Sequence, residues 1–221
     1  ISGRRTSSPP DSRMTSCRQQ SARNPYQLCT WEPEESCREC SLAGKLNCRM
    51  NWRDLAHFAA IFFPALLAAS AGLIRAGFSW ALLAWVGYQL FFFNIWEARV
   101  LCRHCPFYAR DGMILHCPAN HGVIKIWTFD PEPMSRSEQI QFLVGAGILV
   151  LFPFPFLILG GEAWLVLLTF VGVSNFCYRL IKNICPRCIN FSCPLNRVPQ
   201  QVKRAFLDRN TQLAGSWREE N

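Results

Sequence analysis

Four apolar runs, each close to twenty residues long, set the limits on what this 221-residue chain can fold into. They are Leu55–Ile74, Phe78–Trp96, Ile140–Gly160 and Ala163–Ile181. A helix needs about 20 apolar residues to cross a hydrocarbon core. None of the four has the polar stripe at helical spacing that marks a surface helix of a soluble bundle. Pro64, Pro153 and Pro155 would break a soluble helix, whereas in lipid they kink it and neighbouring groups satisfy the freed carbonyls. Ser70, Gly72, Gly87, Gly145, Gly147 and Gly172 allow close helix approach. The expected fold class is all-α: a polytopic membrane protein with four transmembrane helices in two tandem hairpins.

Only Arg75-Ala76-Gly77 separates the first two runs, and only Gly161-Glu162 the last two, so each pair must form a tight hairpin. An even number of crossings returns the long connection, residues 97–139, to the side of both termini. The expected organisation is hairpin 1 at 54–98 and hairpin 2 at 139–182, with cysteine-rich segments at 25–53, 99–138 and 183–221. Residues 1–24 are rich in Ser, Arg and Pro and contain no signal-like apolar core. They read as disordered, with Met14 as a candidate initiator.

Charge orients this arrangement. Of the 23 Lys and Arg residues, only Arg75 belongs to a hairpin turn; the others lie in the termini, the central loop or adjoining helix ends. The positive-inside bias makes the cysteine face cytoplasmic, in a multi-pass protein of the cell membrane with both termini inside. The net charge of +8 is thus explained by basic flanks beside apolar segments, and nucleic-acid binding is not expected.

Nine of the twelve cysteines form three triads: Cys37, Cys40 and Cys48; Cys102, Cys105 and Cys117; Cys185, Cys188 and Cys193. Each begins with Cys-x-x-Cys, which lets one backbone turn aim two sulfurs at one point, as a metal ion or cluster requires. In a reducing compartment structural disulfides are rare, so paired spacing favours metal. Proline follows Cys105, Cys117, Cys185 and Cys193, leaving later backbone amides free to face sulfur, as in iron–sulfur proteins. Zinc is the alternative. The fourth-ligand candidates are Cys29 for the first triad, His104, His116 or His121 for the second, and Cys177 for the third. A single site pooling Cys102, Cys105, Cys185 and Cys188 is a further arrangement.

The second and third triads each follow a hairpin and end in Cys-Pro, which suggests a duplicated unit. Asn94 and Arg99 precede Cys102 much as Asn175 and Arg179 precede Cys185. Arg99 and Arg179 are candidates to offset the charge of a thiolate-ligated centre, against the plainer reading of interface snorkelling. Asn94 and Asn175 are candidate hydrogen-bond donors to a quinone head group, against cross-helix bonding. His57 reads as a helix-packing residue. The tail Val198–Leu213 reads as an amphipathic helix on the anionic leaflet, or as a partner-docking helix.

In layout the chain resembles the membrane ferredoxins that feed periplasmic nitrate and nitrous-oxide reductases, which also place cysteine motifs on the cytoplasmic face of four spans. Their Cys-x-x-x-Cys-Pro and full ferredoxin runs do not occur here, and no residue is carried over from them.

No nucleophile–base pair, carboxylate pair or phosphate loop is present. The expectation is therefore an iron–sulfur electron carrier at the membrane surface, a subunit of a redox complex with a soluble or membrane partner. A zinc-pinned scaffold and a quinone-linked thiol–disulfide oxidoreductase are the alternatives. The last would place its cysteines in the two hairpin turns, which contain none.

Overall fold

The computed structural model describes residues 24, 26–32, 34–37 and 39–218. Apart from Asn24, the segment expected to be disordered lies outside the described residues, with Met14 and Cys17.

Helix α1 runs Trp52–Arg75, opened by Asn51, whose side chain accepts from the Arg53 amide at 2.9 Å. Asp54 in its first turn and Arg75 in its last complement the helix dipole. Gly77, at φ +78°, supplies the left-handed residue that reverses the chain. Helix α2 (Ser79–Phe91) continues through a π turn, Phe92–Trp96, into the short α3 (Glu97–Val100). Helix α4 (Arg136–Leu151) begins with a capping box between Ser135 and Glu138. After Phe152 the chain restarts as α5 (Pro153–Leu159), where proline at the first position costs no hydrogen bond. Helix α6 (Ala163–Arg179) likewise runs into a π turn, Leu180–Ile184. The tail forms α7 (Gln200–Arg209) and α8 (Thr211–Arg218). Among the described residues there is no strand, only an isolated bridge between Ile114 and Ile124.

The helices pack as two antiparallel pairs. Against α1, Phe176 of α6 meets Phe58 at 5.7 Å and Phe62 at 5.6 Å. Gly172 brings the α6 backbone so close to Ala65 that an added Cβ would lie 3.0 Å from its Cα. Along α4, Trp85 of α2 donates to the Leu149 carbonyl at 2.8 Å and Tyr88 to the Gly145 carbonyl at 3.0 Å. Both hairpin tips meet at one end, where Arg75 pairs with Glu162 at 3.4 Å. The cysteines gather at the other end.

Three helices are long and apolar enough to cross a membrane: Trp52–Arg75, Arg136–Leu159 and Ala163–Arg187. The expectation was four. The shortfall is the helix from Ser79 onward, where Trp80, Trp85, Tyr88, Gln89 and Asn94 dilute the aliphatic content. Leu67, Leu83 and Leu167 are each more than 60% exposed on the bundle exterior, an apolar surface that water does not favour.

The cysteine end has its own core, drawn from three distant stretches. Leu28, Leu42 and Leu46 meet Tyr108, Leu115 and Val123, and both groups meet Ile189, Phe191, Phe206 and Leu213. Fully burying one Leu or Phe side chain is worth about 1.5–3 kcal/mol, so the tail is held firmly. This corrects the reading of the tail as a leaflet helix: Phe206 and Leu213 face protein, with Phe191 and Phe206 rings 5.2 Å apart.

Candidate metal centre

Each Cys-x-x-Cys is folded as a single tight turn. The amide of the second cysteine donates to the carbonyl of the first at 3.1 Å for Cys40, 2.9 Å for Cys105 and 3.4 Å for Cys188. In the second and third triads the parallel extends upstream: helix, π turn, then a 3₁₀ turn at Cys102–His104 or Cys185–Arg187. In the copy before Cys102, α3 lies between the π turn and the first cysteine, so Asn94 falls inside its π turn and Arg99 after it, whereas Asn175 and Arg179 both precede the other π turn.

The cysteines fall into two groups. In the first, burial pushes the Cys48 thiol up to about 12, and the charges of Cys29, Cys40 and Cys37 push the same way, against Arg49. Cys29 therefore joins the first triad, the one fourth-ligand candidate brought to its triad in this way. Its own thiol is raised by burial, opposed by a hydrogen bond from Asn210.

In the second group the two later triads come together. Cys102 and Cys105 are buried, and burial raises both thiols well above their ordinary value. Cys117 and Cys193 add to the rise at Cys102, and Cys117 and Cys188 to that at Cys105. Burial holds Cys117 and Cys193 at about 12, with Cys188 as the first charged neighbour of each. Cys188 stands at about 11, again chiefly through burial, with Cys185 beside it. One side-chain and one backbone hydrogen bond tie the stretches together: Asn190 Nδ2 donates to the Leu101 carbonyl at 3.1 Å, and the Asn47 amide to the Arg187 carbonyl at 2.8 Å.

Amides face these sulfurs. The N–H two residues after each cysteine lowers the thiol at Cys105 (Phe107), Cys117 (Ala119), Cys188 (Asn190) and Cys193 (Leu195). In three of the four, the intervening residue is proline, which has no N–H of its own to compete. Side chains contribute as well. Asn120 donates to Cys102 Sγ at 3.4 Å, Arg49 to Cys37 Sγ at 3.4 Å, Arg209 to Cys40 Sγ at 3.1 Å and Asn210 to Cys29 Sγ at 3.4 Å.

Sequence reasoning missed these four donors. Arg49, adjacent to Cys48, was within reach of a spacing argument. Arg209 and Asn210 were not, because they lie at least 169 residues from their sulfurs.

The other candidates have different surroundings. Arg99 stacks over Trp127 at 5.7 Å, and Arg179 donates to Asn175 Oδ1 at 3.1 Å. Asn94 donates to its own helix at the Leu90 carbonyl, 2.9 Å away, and lines a cleft of about 320 Å³ with Phe58, Phe62, Phe93, Asn120 and His121. His104 has both ring nitrogens engaged, one with the Glu132 carbonyl at 2.8 Å and the other with Glu138 Oε1 at 3.4 Å. His116 and His121 pack on each other at 5.2 Å. Cys177 is half-buried within α6. His57 is exposed and lines a second cleft, of about 420 Å³, with Asp54 and Lys182.

Among the described residues no three His, Cys, Asp or Glu side chains come close enough to hold a single metal ion. The sulfurs stand near enough to feel one another's charge. Comparison with known proteins returned no matching family model, no similar curated protein and no similar solved structure.

Proposed function

We propose that this chain is a membrane-anchored electron carrier whose cysteines hold iron–sulfur clusters on the cytoplasmic face of four spanning helices, as a subunit of a redox complex. The observation that carries the reading is the convergence of six cysteines from two separate stretches, with backbone N–H groups aimed at four of the sulfurs. Thiols that raise one another this way cannot ionise together without positive charge among them. Amide and guanidinium donors to sulfur then offset the negative charge that remains.

The amides that face the sulfurs, three of them following a Cys-Pro step, favour a cluster over a zinc ion. Of the three histidines weighed as ligands, His104 has both ring nitrogens engaged elsewhere. When bound, a cluster supplies one-electron transfer; the protein contributes ligand thiolates, sulfur-facing donors and a dry shell. Cys29, Cys37, Cys40 and Cys48 would hold one centre. Cys102, Cys105, Cys117, Cys185, Cys188 and Cys193 would supply the other.

Four crossings are supported by the pairing of α2 with α4. Trp85, Tyr88 and Phe92 contact α4 residues from Leu149 to Phe142, so α2 travels through whatever depth α4 does. A quinone is a fitting lipid-soluble partner for the cleft at Asn94, which has aromatic walls and shares Asn120 with Cys102. A soluble or membrane redox protein would take the other end of the transfer.

Anaerobic purification tests the centre: the protein is expected to be coloured and to carry iron with acid-labile sulfide. A colourless protein with stoichiometric zinc would replace this reading by the zinc scaffold. Topology is tested separately, with reporters fused to Asn221 and inserted between Asp130 and Glu132. Both are expected in the cytoplasm; opposite sides would remove the fourth crossing.

A further inference from the structure

The segment Met113–Trp127 carries Cys117 and Asn120 of the site above, but its outer face plays no part in that function. Its backbone doubles back as a short antiparallel ribbon around the isolated Ile114–Ile124 bridge: the Lys125 amide donates to the Met113 carbonyl at 2.7 Å and the Leu115 amide to the Val123 carbonyl at 2.8 Å. Leu115 and Val123 turn into the cysteine-end core, 1% and 6% exposed. On a ribbon with one face in a core, the alternate positions should be polar. Here they are Ile114, Ile124 and Ile126, exposed by 47%, 54% and 60%, with Met113 beside them at 71%.

The position of the ribbon identifies what covers that face. The His121 ring lies 5.4 Å from Trp52, the first residue of α1, and Trp127 lies under Arg99 of α3. The turn at Ala119–Val123 shares its cleft with Phe62, ten residues into α1, or about 15 Å along the axis. The ribbon therefore lies beside the N-terminal turns of α1 and the end of α3, at the level where a spanning helix leaves the hydrocarbon. The exposed apolar stripe of α2 and its π turn, through Phe91 and Ile95, leads directly to Arg99 and Trp127. Arg99 and Arg110 are exposed at its margin, as is Asp111. Apolar side chains flanked by tryptophan and arginine suit the headgroup–acyl boundary of an anionic leaflet.

We infer that the Met113–Trp127 ribbon is an interfacial membrane anchor, its outer face of Ile114, Ile124 and Ile126 inserted into the cytoplasmic leaflet. The inference rests on the membrane part of the proposed function and not on the metal. It ties the central loop to the lipid surface, so that the second cysteine group is held at a fixed height above the bilayer.

The full chain in nanodiscs containing anionic phospholipid provides the test, by hydroxyl-radical oxidation read by mass spectrometry. Met113 oxidation is expected to be at least about fivefold slower than in the denatured chain, because susceptibility follows exposure. Brominated lipid is expected to quench the fluorescence component that W127F removes. Rapid oxidation of Met113 while the helix peptides are protected would overturn the anchor and leave the spans standing. Protection without quenching would also overturn it, pointing to a protein cover such as a second copy. Unprotected helix peptides would sink the membrane reading itself, and the anchor with it.

Discussion

Serine in place of Cys105 is expected to abolish the visible absorption of the second cysteine group and most of its iron, while the first group keeps its own. Cys105 is buried, with Cys102, Cys117 and Cys188 as neighbours and the Phe107 amide at its sulfur. Serine has nearly the same shape, so the surrounding core of Phe107, Tyr108 and Ile189 loses little packing. What it lacks is a soft, ionisable sulfur, which iron–sulfur ligation requires. C37S is the matching variant for the other group and should give the reciprocal loss. Iron and sulfide analysis, with electron paramagnetic resonance of the reduced protein, reads both. If C105S keeps its full iron content, the convergence of the two triads does not build a centre.

Isoleucine at position 172 is expected to be strongly damaging to the helical bundle. An added Cβ there would stand 3.0 Å from Ala65 Cα and 3.1 Å from its Cβ, and the first of these is backbone that cannot swing away. Helices α1 and α6 would have to separate, loosening the contacts of Phe176 with Phe58 and Phe62. Between helices in lipid, packing provides most of the attraction, so lost contact is not recovered elsewhere. Even G172A should cost about 1–3 kcal/mol, the usual penalty for overpacking, and isoleucine more. G147A is the control: nothing lies within 4 Å of its added Cβ, and no loss is expected. Unfolding midpoints in detergent separate the three; a midpoint for G172I equal to that of the parent protein would contradict the close approach of the two helices.

How much of this was legible beforehand follows the range of each interaction. Helix existence, the hairpin turns at Gly77 and Gly161 and the local fold of each Cys-x-x-Cys are set by neighbouring residues, and the sequence expresses them directly. The role of proline was also legible, because Pro106, Pro118 and Pro194 act on the amide immediately after them. The meeting of the second and third triads was one arrangement among several, since nothing local distinguishes a pooled group from separate ones. The tail was misread for a related reason. A period of apolar residues reveals that Val202, Phe206 and Leu213 share a face, but whether that face meets lipid or protein depends on chain far away. The second helix fell short on hydropathy because aromatic and amide side chains, which suit a helix packed on its neighbours, count against it on an aliphatic scale.

The two π turns have a geometric consequence. Each bond reaching five residues back lodges one surplus residue in the coil, and an ordinary helix advances about 100° per residue. Taking one residue out of Phe92–Trp96 or Leu180–Ile184 would restore regular winding and rotate everything downstream by roughly that angle. Cys102 and Cys185 lie just beyond these two points, so the surplus residue works as a phase setting that fixes the compass bearing on which each sulfur pair leaves its rod.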